Sequence, residues 1–81
     1  MSLTLLYFAQ AARAAGTARE EMELEAPLSL GGVQERVLRR HPGLRPLAAS
    51  LLWSVDEAMA EPRQVVRPGQ VVGVLPPFSG G

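Results

Sequence analysis

The sequence predicts a small α+β domain, a mixed sheet of four to five strands packed on one main helix. Three observations carry that expectation. Apolar runs near both ends, "SLTLLYFAQ" (2 to 10) and "VVGVL" (71 to 75), read as buried strands. Between them, residues 30 to 41 repeat apolar side chains at spacings of three and four, as an amphipathic helix does. The intervening order is β-β-α-β-β, without the alternation of a repeating βα fold, and 81 residues make one domain.

Each element has its own justification. "TAREEMELEA" (17 to 26) alternates charged and apolar residues through Glu21, Met22, Glu23 and Leu24, so it reads as a strand with one wet face, hairpinned onto the first. "AARAAG" (11 to 16), just before it, has helical propensity but is too short to stand alone. Ser29 is placed to cap the helix over 30 to 41, whose inner face is Leu30, Val33, Val37, Leu38 and His41. "HPG" (41 to 43) stops it, and "LRPLAAS" (44 to 50) reads as an irregular turn or short helix. "LLWSV" (51 to 55) is the third strand. A polar connection follows from 56 and ends in a short strand at Gln64 to Val66. "RPGQ" (67 to 70) places Pro and Gly for a type II turn into the last strand, 71 to 75.

Composition narrows the function classes. A chain this small has little room for an enclosed active-site cleft beside its core, so a module that works with partners is expected before a self-sufficient enzyme. Eight Arg balance seven Glu and one Asp. No excess positive field is present for nucleic acid or an anionic membrane. No segment is long and apolar enough to span a bilayer, and "SLTLLYFA" lacks the basic flank of a signal peptide, which points to a cytoplasmic address. The sequence contains no Cys and no Lys, hence no disulfide, thiol nucleophile or thiolate metal site. The carboxylates of "EEMELE" read as a solvated strand face, without the His or Asp cluster a metal site needs. His41, before Pro-Gly at a helix end, suits a cation beside the helix dipole and its free carbonyls. Tyr7 and Trp53 read as sheet or core residues; no basic groove accompanies them to make a stacking platform.

Two further features point to partners. The runs at 3 to 8 and 71 to 75 put apolar side chains on both faces of their strands, yet one helix can cover only one face. Leu6, Phe8, Val72 and Val74 are the large residues expected on the uncovered side as a partner surface. The second feature is the ending, "VLPPFSGG" (74 to 81). Residues 1 to 75 are expected to be the folded domain and 76 to 81 an extended flexible tail. Pro76 and Pro77 stiffen the exit from the last strand. Phe78 is a single large handle beyond them and Ser79 a small spacer. Gly80 and Gly81 lack the Cβ that would stop a backbone threading a narrow channel. An α-carboxylate is ionised at neutral pH and a poor electrophile. To react it must be activated, for example as an acyl-adenylate, after which a sulfur donor can convert it to a thiocarboxylate.

The sequence resembles the MoaD family, small sulfur-carrier subunits of molybdopterin synthase with the ubiquitin-like β-grasp fold. The likeness runs the length of the chain. It is carried by "LLYFAQAARAAGT", by "SVDEAM" and above all by "VRPGQVVGVLPPFSGG", with its turn glycine, apolar strand, Pro-Pro, apolar residue, Ser and terminal Gly-Gly. Asp56 stands where the family usually has Asn, and Pro68 and Gln70 replace acidic residues that commonly flank the turn glycine. The resemblance implies a cycle in which the chain is not catalytic alone and binds no cofactor. A ubiquitin-activating-type adenylyltransferase would adenylate Gly81 with ATP, and a sulfurtransferase would supply the sulfur. The tail would then enter the large synthase subunit and donate sulfur to a pterin precursor. Gly81 would be the carrier, Gly80 the threading residue, and Pro76, Pro77, Phe78 and Ser79 the docking stem. Two alternatives share the features: a sulfur carrier for thiamine, cysteine or tRNA thiolation, and a ubiquitin-like modifier or binding module.

Overall fold

The computed structural model describes residues 1–77. In chain order the elements are β1 (Ser2–Tyr7), α1 (Ala9–Ala15), β2 (Arg19–Glu23), β3 (Leu28–Ser29), α2 (Leu30–Arg40), a 3-10 helix (Pro42–Ser50), β4 (Leu52–Val55), β5 (Ala58–Met59), β6 (Val65–Val66) and β7 (Val71–Leu75). Five strands form one mixed sheet in the order β2-β1-β7-β4-β5, and β3 and β6 form a separate two-stranded ribbon. The first and last strands lie side by side in parallel, with Leu5 opposite Val72 and Tyr7 opposite Val74. Every other pairing in the sheet is antiparallel. Parallel strands need a long crossover, and α2 with the 3-10 helix supplies it.

Strand alternation decides what is buried. Leu3, Leu5 and Tyr7 of β1, Trp53 and Val55 of β4, and Val72 and Val74 of β7 turn to one side. There they meet Leu30, Val33 and Val37 of α2, Ala11 of α1 and Leu44 of the 3-10 helix in a single core. At roughly 1.5–3 kcal/mol for each fully buried aliphatic side chain, this cluster is the main stabilising term. The cap of α2 is as expected: Ser29 Oγ accepts the Gly32 N–H at 3.1 Å. Arg39 and Arg40 fall in its last turn, where cations complement the dipole.

Four elements go beyond the expectation, the first being β3 (Leu28–Ser29), a short strand not foreseen ahead of α2. Residues 9–15 do form a helix, because Ala11 is buried in the core and packing replaces the stability its length cannot provide. Residues 42–50 are a continuous 3-10 helix that buries Leu44. The polar connection after β4 hides β5, which pairs back on β4 through a two-residue turn at Asp56 and Glu57 with φ of 49° and 70°. Both angles are the left-handed ones of a type I′ hairpin, usually announced by Asn-Gly or Asp-Gly. The turn before β7 follows expectation, with Gly69 at φ 92° and Gln70 N–H bonded to the Arg67 carbonyl at 3.2 Å.

Candidate functional site

β7 ends at Leu75, immediately before the segment expected to act, so it anchors the candidate site. Leu75 is half-buried, Pro76 likewise, and Pro77 is exposed. Phe78, Ser79, Gly80 and Gly81, the residues expected to thread and carry sulfur, lie outside the described residues.

The face of the sheet turned away from the core is the second part of the site. Register places Leu6 beside Gly73, Ser54 beside Gly73, and Leu52 beside Leu75, with Val71 next to Thr4. Met59 lies opposite Ser54 and is 62% exposed. Phe8 continues β1 and is 44% exposed. Together Leu6, Phe8, Leu52, Met59, Val71 and Leu75 give the open face an apolar apron at the end of β7. Toward β2 the same face turns polar. Glu21 accepts hydrogen bonds from Ser2 and Thr4 at 2.9 and 3.0 Å and pairs with Arg19 at 3.1 Å. Those Ser2 and Thr4 hydroxyls hold the Glu21 carboxyl below its ordinary range. Charged side chains on an edge strand also discourage pairing with another sheet.

This geometry corrects the expectation for Val72 and Val74. Both are completely buried, facing the helices beside Leu5, Tyr7, Trp53 and Val55. The physical reason is parity. A fully apolar strand gives no alternation to read, and a one-residue slip exchanges every side chain between faces. Leu6 and Phe8 are on the open side as expected. The β7 residues that share this face are Val71, opposite Thr4, then Gly73, opposite Leu6, and Leu75.

At the end of β7 away from the tail, Asp56 organises the turn. Its carboxylate accepts the Val71 N–H at 2.9 Å and a Gln70 Nε2 hydrogen at 2.9 Å, while Gln70 Oε1 accepts the Arg67 N–H at 2.8 Å. The Val71 and Gln70 donors lower its pKa. Both oxygens act as acceptors, so the ionised acid fits this position where a neutral amide would not.

The helix side carries one polar cluster that sequence reasoning missed. Tyr7 Oη donates to Glu20 Oε2 at 2.5 Å, and His41 Nε2 meets the same oxygen at 2.6 Å. Arg40 reaches Oε1 at 3.4 Å, and the Tyr7 and His41 rings meet edge to face at 5.5 Å. Burial and the Glu20 bond push the Tyr7 phenol far above its usual value. Burial pushes the Glu20 carboxyl up, but the Tyr7, His41 and Arg40 contacts outweigh it and leave it lowered. Two expectations change here. The His41 ring serves a carboxylate rather than helix carbonyls, and Glu20 departs from the solvated carboxylates of β2. Only pairing in space could reveal this. The cluster ties β1, β2 and the end of α2 together, on the side away from the apron.

A shallow depression of about 320 Å³ lies on the apron between Leu6, Asp56, Glu57 and Val71. A cleft of about 430 Å³ lies at the remote β2–β3 connection. Neither brings together a nucleophile and a base. Among the described residues no group of three His, Asp or Glu could hold a metal ion, and no helix is long and apolar enough to cross a membrane.

Residues 5–81 match the ThiS family. The chain is 29% identical over 80 residues to the human molybdopterin synthase sulfur carrier subunit, covering 95% of this chain and 91% of that one. Among solved structures, SAMP1 from Haloferax volcanii superposes with a TM-score of 0.87 at 19% identity, covering both chains completely. A protein–protein complex of subunits 1 and 2 of the molybdopterin-converting factor from Helicobacter pylori contains a chain matched at a TM-score of 0.73 and 16% identity, again over both full lengths. The fold is thus the ubiquitin-like β-grasp.

Proposed function

Because this chain belongs to the ThiS family, we propose that it is the sulfur-carrier subunit of a molybdopterin synthase and that Gly81 carries the sulfur. The observation that carries this reading is the extent of the family match. It runs through residue 81 and so includes "PPFSGG", and a relative named as a molybdopterin synthase sulfur carrier subunit aligns over nearly the whole chain.

The chemistry follows from the terminus. The Gly81 carboxylate attacks the α-phosphorus of ATP within a ubiquitin-activating-type adenylyltransferase, releasing pyrophosphate and forming an acyl-adenylate. A persulfide sulfur on the sulfurtransferase attacks the acyl carbon and displaces AMP, giving an acyl disulfide. A second thiol then attacks the enzyme sulfur, breaking the S–S bond, so that the two thiols end as a disulfide and the thiocarboxylate is released. That group is an ionised nucleophile at neutral pH, and the cysteine-free chain has no other source of one. The tail then enters the large synthase subunit, which supplies the catalytic residues, and sulfur passes to a pterin precursor. The chain itself contributes reach and docking. Six residues, 76 to 81, are enough to span on the order of 20 Å if fully extended, and the apron of Leu6, Phe8, Val71 and Leu75 is the surface on which the large subunit seats. The domain is residues 1 to 75, and the tail is its working part.

Reconstitution tests this reading. The chain mixed with the large synthase subunit of the same organism should form a stable complex. Once thiocarboxylated, it should convert the pterin precursor to the dithiolene product in a single turnover. A chain that accepts sulfur yet neither binds the large subunit nor transfers to the precursor would instead serve another thiolation pathway.

A further inference from the structure

Gly73 stands in the middle of the open face, in the central strand, with Leu6 and Ser54 as its neighbours across the ladder. A glycine there sacrifices strand propensity and side-chain packing. Its backbone does not require it, since the positive-φ glycines described are Gly16 and Gly69. The space above it is narrow, leaving room for little more than a methyl group. A Cβ at this position would stand 3.5 Å from Phe8 Cε2 and 3.6 Å from Leu75 Cδ1, and would crowd the Ser54 hydroxyl. The edge of the partly exposed Phe8 ring, at Cε2, therefore borders the space above the glycine. Its backbone is held as well. The Phe8 N–H donates to the Val74 carbonyl at 3.1 Å, and the Phe8 carbonyl accepts from Ala11 at 2.9 Å. The chain then turns away through Ala9 at φ 48°, a left-handed angle rarely adopted by a residue with a Cβ.

We propose that Gly73 is a positioning residue: it forms the seat that holds the Phe8 ring in one orientation on the open face, as a preformed anchor for the large synthase subunit. The proposal rests on the docking role given to the apron above. An exposed phenylalanine free to change rotamer must be ordered when a partner binds, and that ordering weakens the complex. A ring whose edge already borders the space above the glycine, flanked by Leu75, has lost that freedom before the encounter. Aromatic anchors at the centre of an interface commonly carry much of its affinity.

Two substitutions separate the seat from any general effect of glycine. Gly73→Ala places its methyl at ordinary contact distance from Phe8 and Leu75 and requires only the short Ser54 side chain to rotate. Gly73→Val adds two methyl groups at the ring edge and must displace it, while favouring the strand. Nuclear Overhauser contacts between the Phe8 ring protons and the residue-73 α-proton, with the ring-current shift of that α-proton, report the seat directly. They should be present in the native chain, persist in Gly73→Ala and disappear in Gly73→Val. Affinity for the large subunit, measured by calorimetry, should fall about tenfold or more for Phe8→Ala. Gly73→Val should lose a comparable amount, and Gly73→Ala little. Adding Gly73→Val to Phe8→Ala should cause no further loss, because the glycine acts only through the ring. Absence of the Overhauser contacts in the native chain overturns the proposal. So does a Gly73→Val loss that persists in the Phe8→Ala background. Contacts present but affinity unchanged in Phe8→Ala would overturn the docking reading and the anchor role with it, leaving the seat as local packing.

Discussion

Replacing Val72 with glutamate puts a carboxyl among Leu5, Val55 and the inner face of α2, where Val72 is completely buried. Among the described residues no charged side chain is buried in that core. The introduced group must therefore either be protonated or break the core. Protonating a carboxyl of ordinary pKa near 4.3 at pH 7 costs about 3.7 kcal/mol. Losing the buried valine removes about 1.5–3 kcal/mol more, and overpacking adds about 1–3 kcal/mol. A domain of this length has roughly 4–12 kcal/mol of stability in all, so Val72→Glu should be largely unfolded at pH 7. Its folded-state pKa would lie above its unfolded one. The penalty should therefore be smallest below the unfolded carboxyl pKa and grow as pH rises toward the folded value. The neighbouring change, Val71→Glu, puts the same group on the half-exposed open face beside Thr4. It should cost no more than about 1 kcal/mol, roughly 4–8 °C in Tm, while weakening the large-subunit complex. Thermal unfolding followed by circular dichroism at pH 7 and pH 4, with binding measured on the folded variant, decides between the two faces. A stable Val72→Glu beside an unfolded Val71→Glu would refute the assignment of β7.

Three further outcomes follow from the polar contacts and the tail. Glu20→Ala leaves Tyr7 Oη and the partly buried His41 Nε2 without their acceptor, at about 1–3 kcal/mol for the buried phenol so stranded, and should lower Tm measurably. The folded Glu20 pKa is lowered. The stability it contributes is present above the unfolded carboxylate pKa and is lost as pH falls through the folded value, so the variant's Tm should change less in acid than the native chain's. Asp56→Asn keeps the left-handed turn but opposes an amide hydrogen to the Gln70 donor or the Val71 N–H. Amide exchange at Val71 should speed up, with the rest of the sheet unchanged. Gly80→Ala should fold as the native chain does and slow sulfur transfer roughly ten- to a hundredfold in single-turnover assays, the kinetic equivalent of about 1–3 kcal/mol of steric conflict in a close-fitting channel.

Much of this was legible because particular residues act locally. Ser29 announces its cap, Pro68 and Gly69 their turn, and the alternation of Glu21, Met22, Glu23 and Leu24 the wet strand. What escaped was set by tertiary contact. The α1 helix exists because Ala11 is covered, which a seven-residue segment cannot show by itself. The β4–β5 turn uses Asp56 and Glu57 at angles usually given to glycine and asparagine, so no turn signal preceded β5. The parity of β7 was hidden because four of its five residues are apolar. It is fixed by register with Leu5 and Val55. The Glu20 cluster joins residues 7, 20, 40 and 41, whose meeting depends on how α2 docks. Within the candidate site, the exposure of Phe8 on the open face was readable from the apolar run it ends. The seat that Gly73 provides was not, because a glycine within an apolar strand has the same appearance whatever lies above it.

The central claim, that Gly81 carries sulfur, is tested most directly by the intact mass of the chain isolated from its native host under sulfur-replete growth. The account predicts a population whose mass exceeds that of the free acid by the difference between one sulfur and one oxygen. The excess should map to the C-terminal peptide, and it should vanish when the activating enzyme is deleted or Gly81 is removed. A chain that is entirely the free acid under those conditions, or whose extra mass maps elsewhere than Gly81, would contradict it.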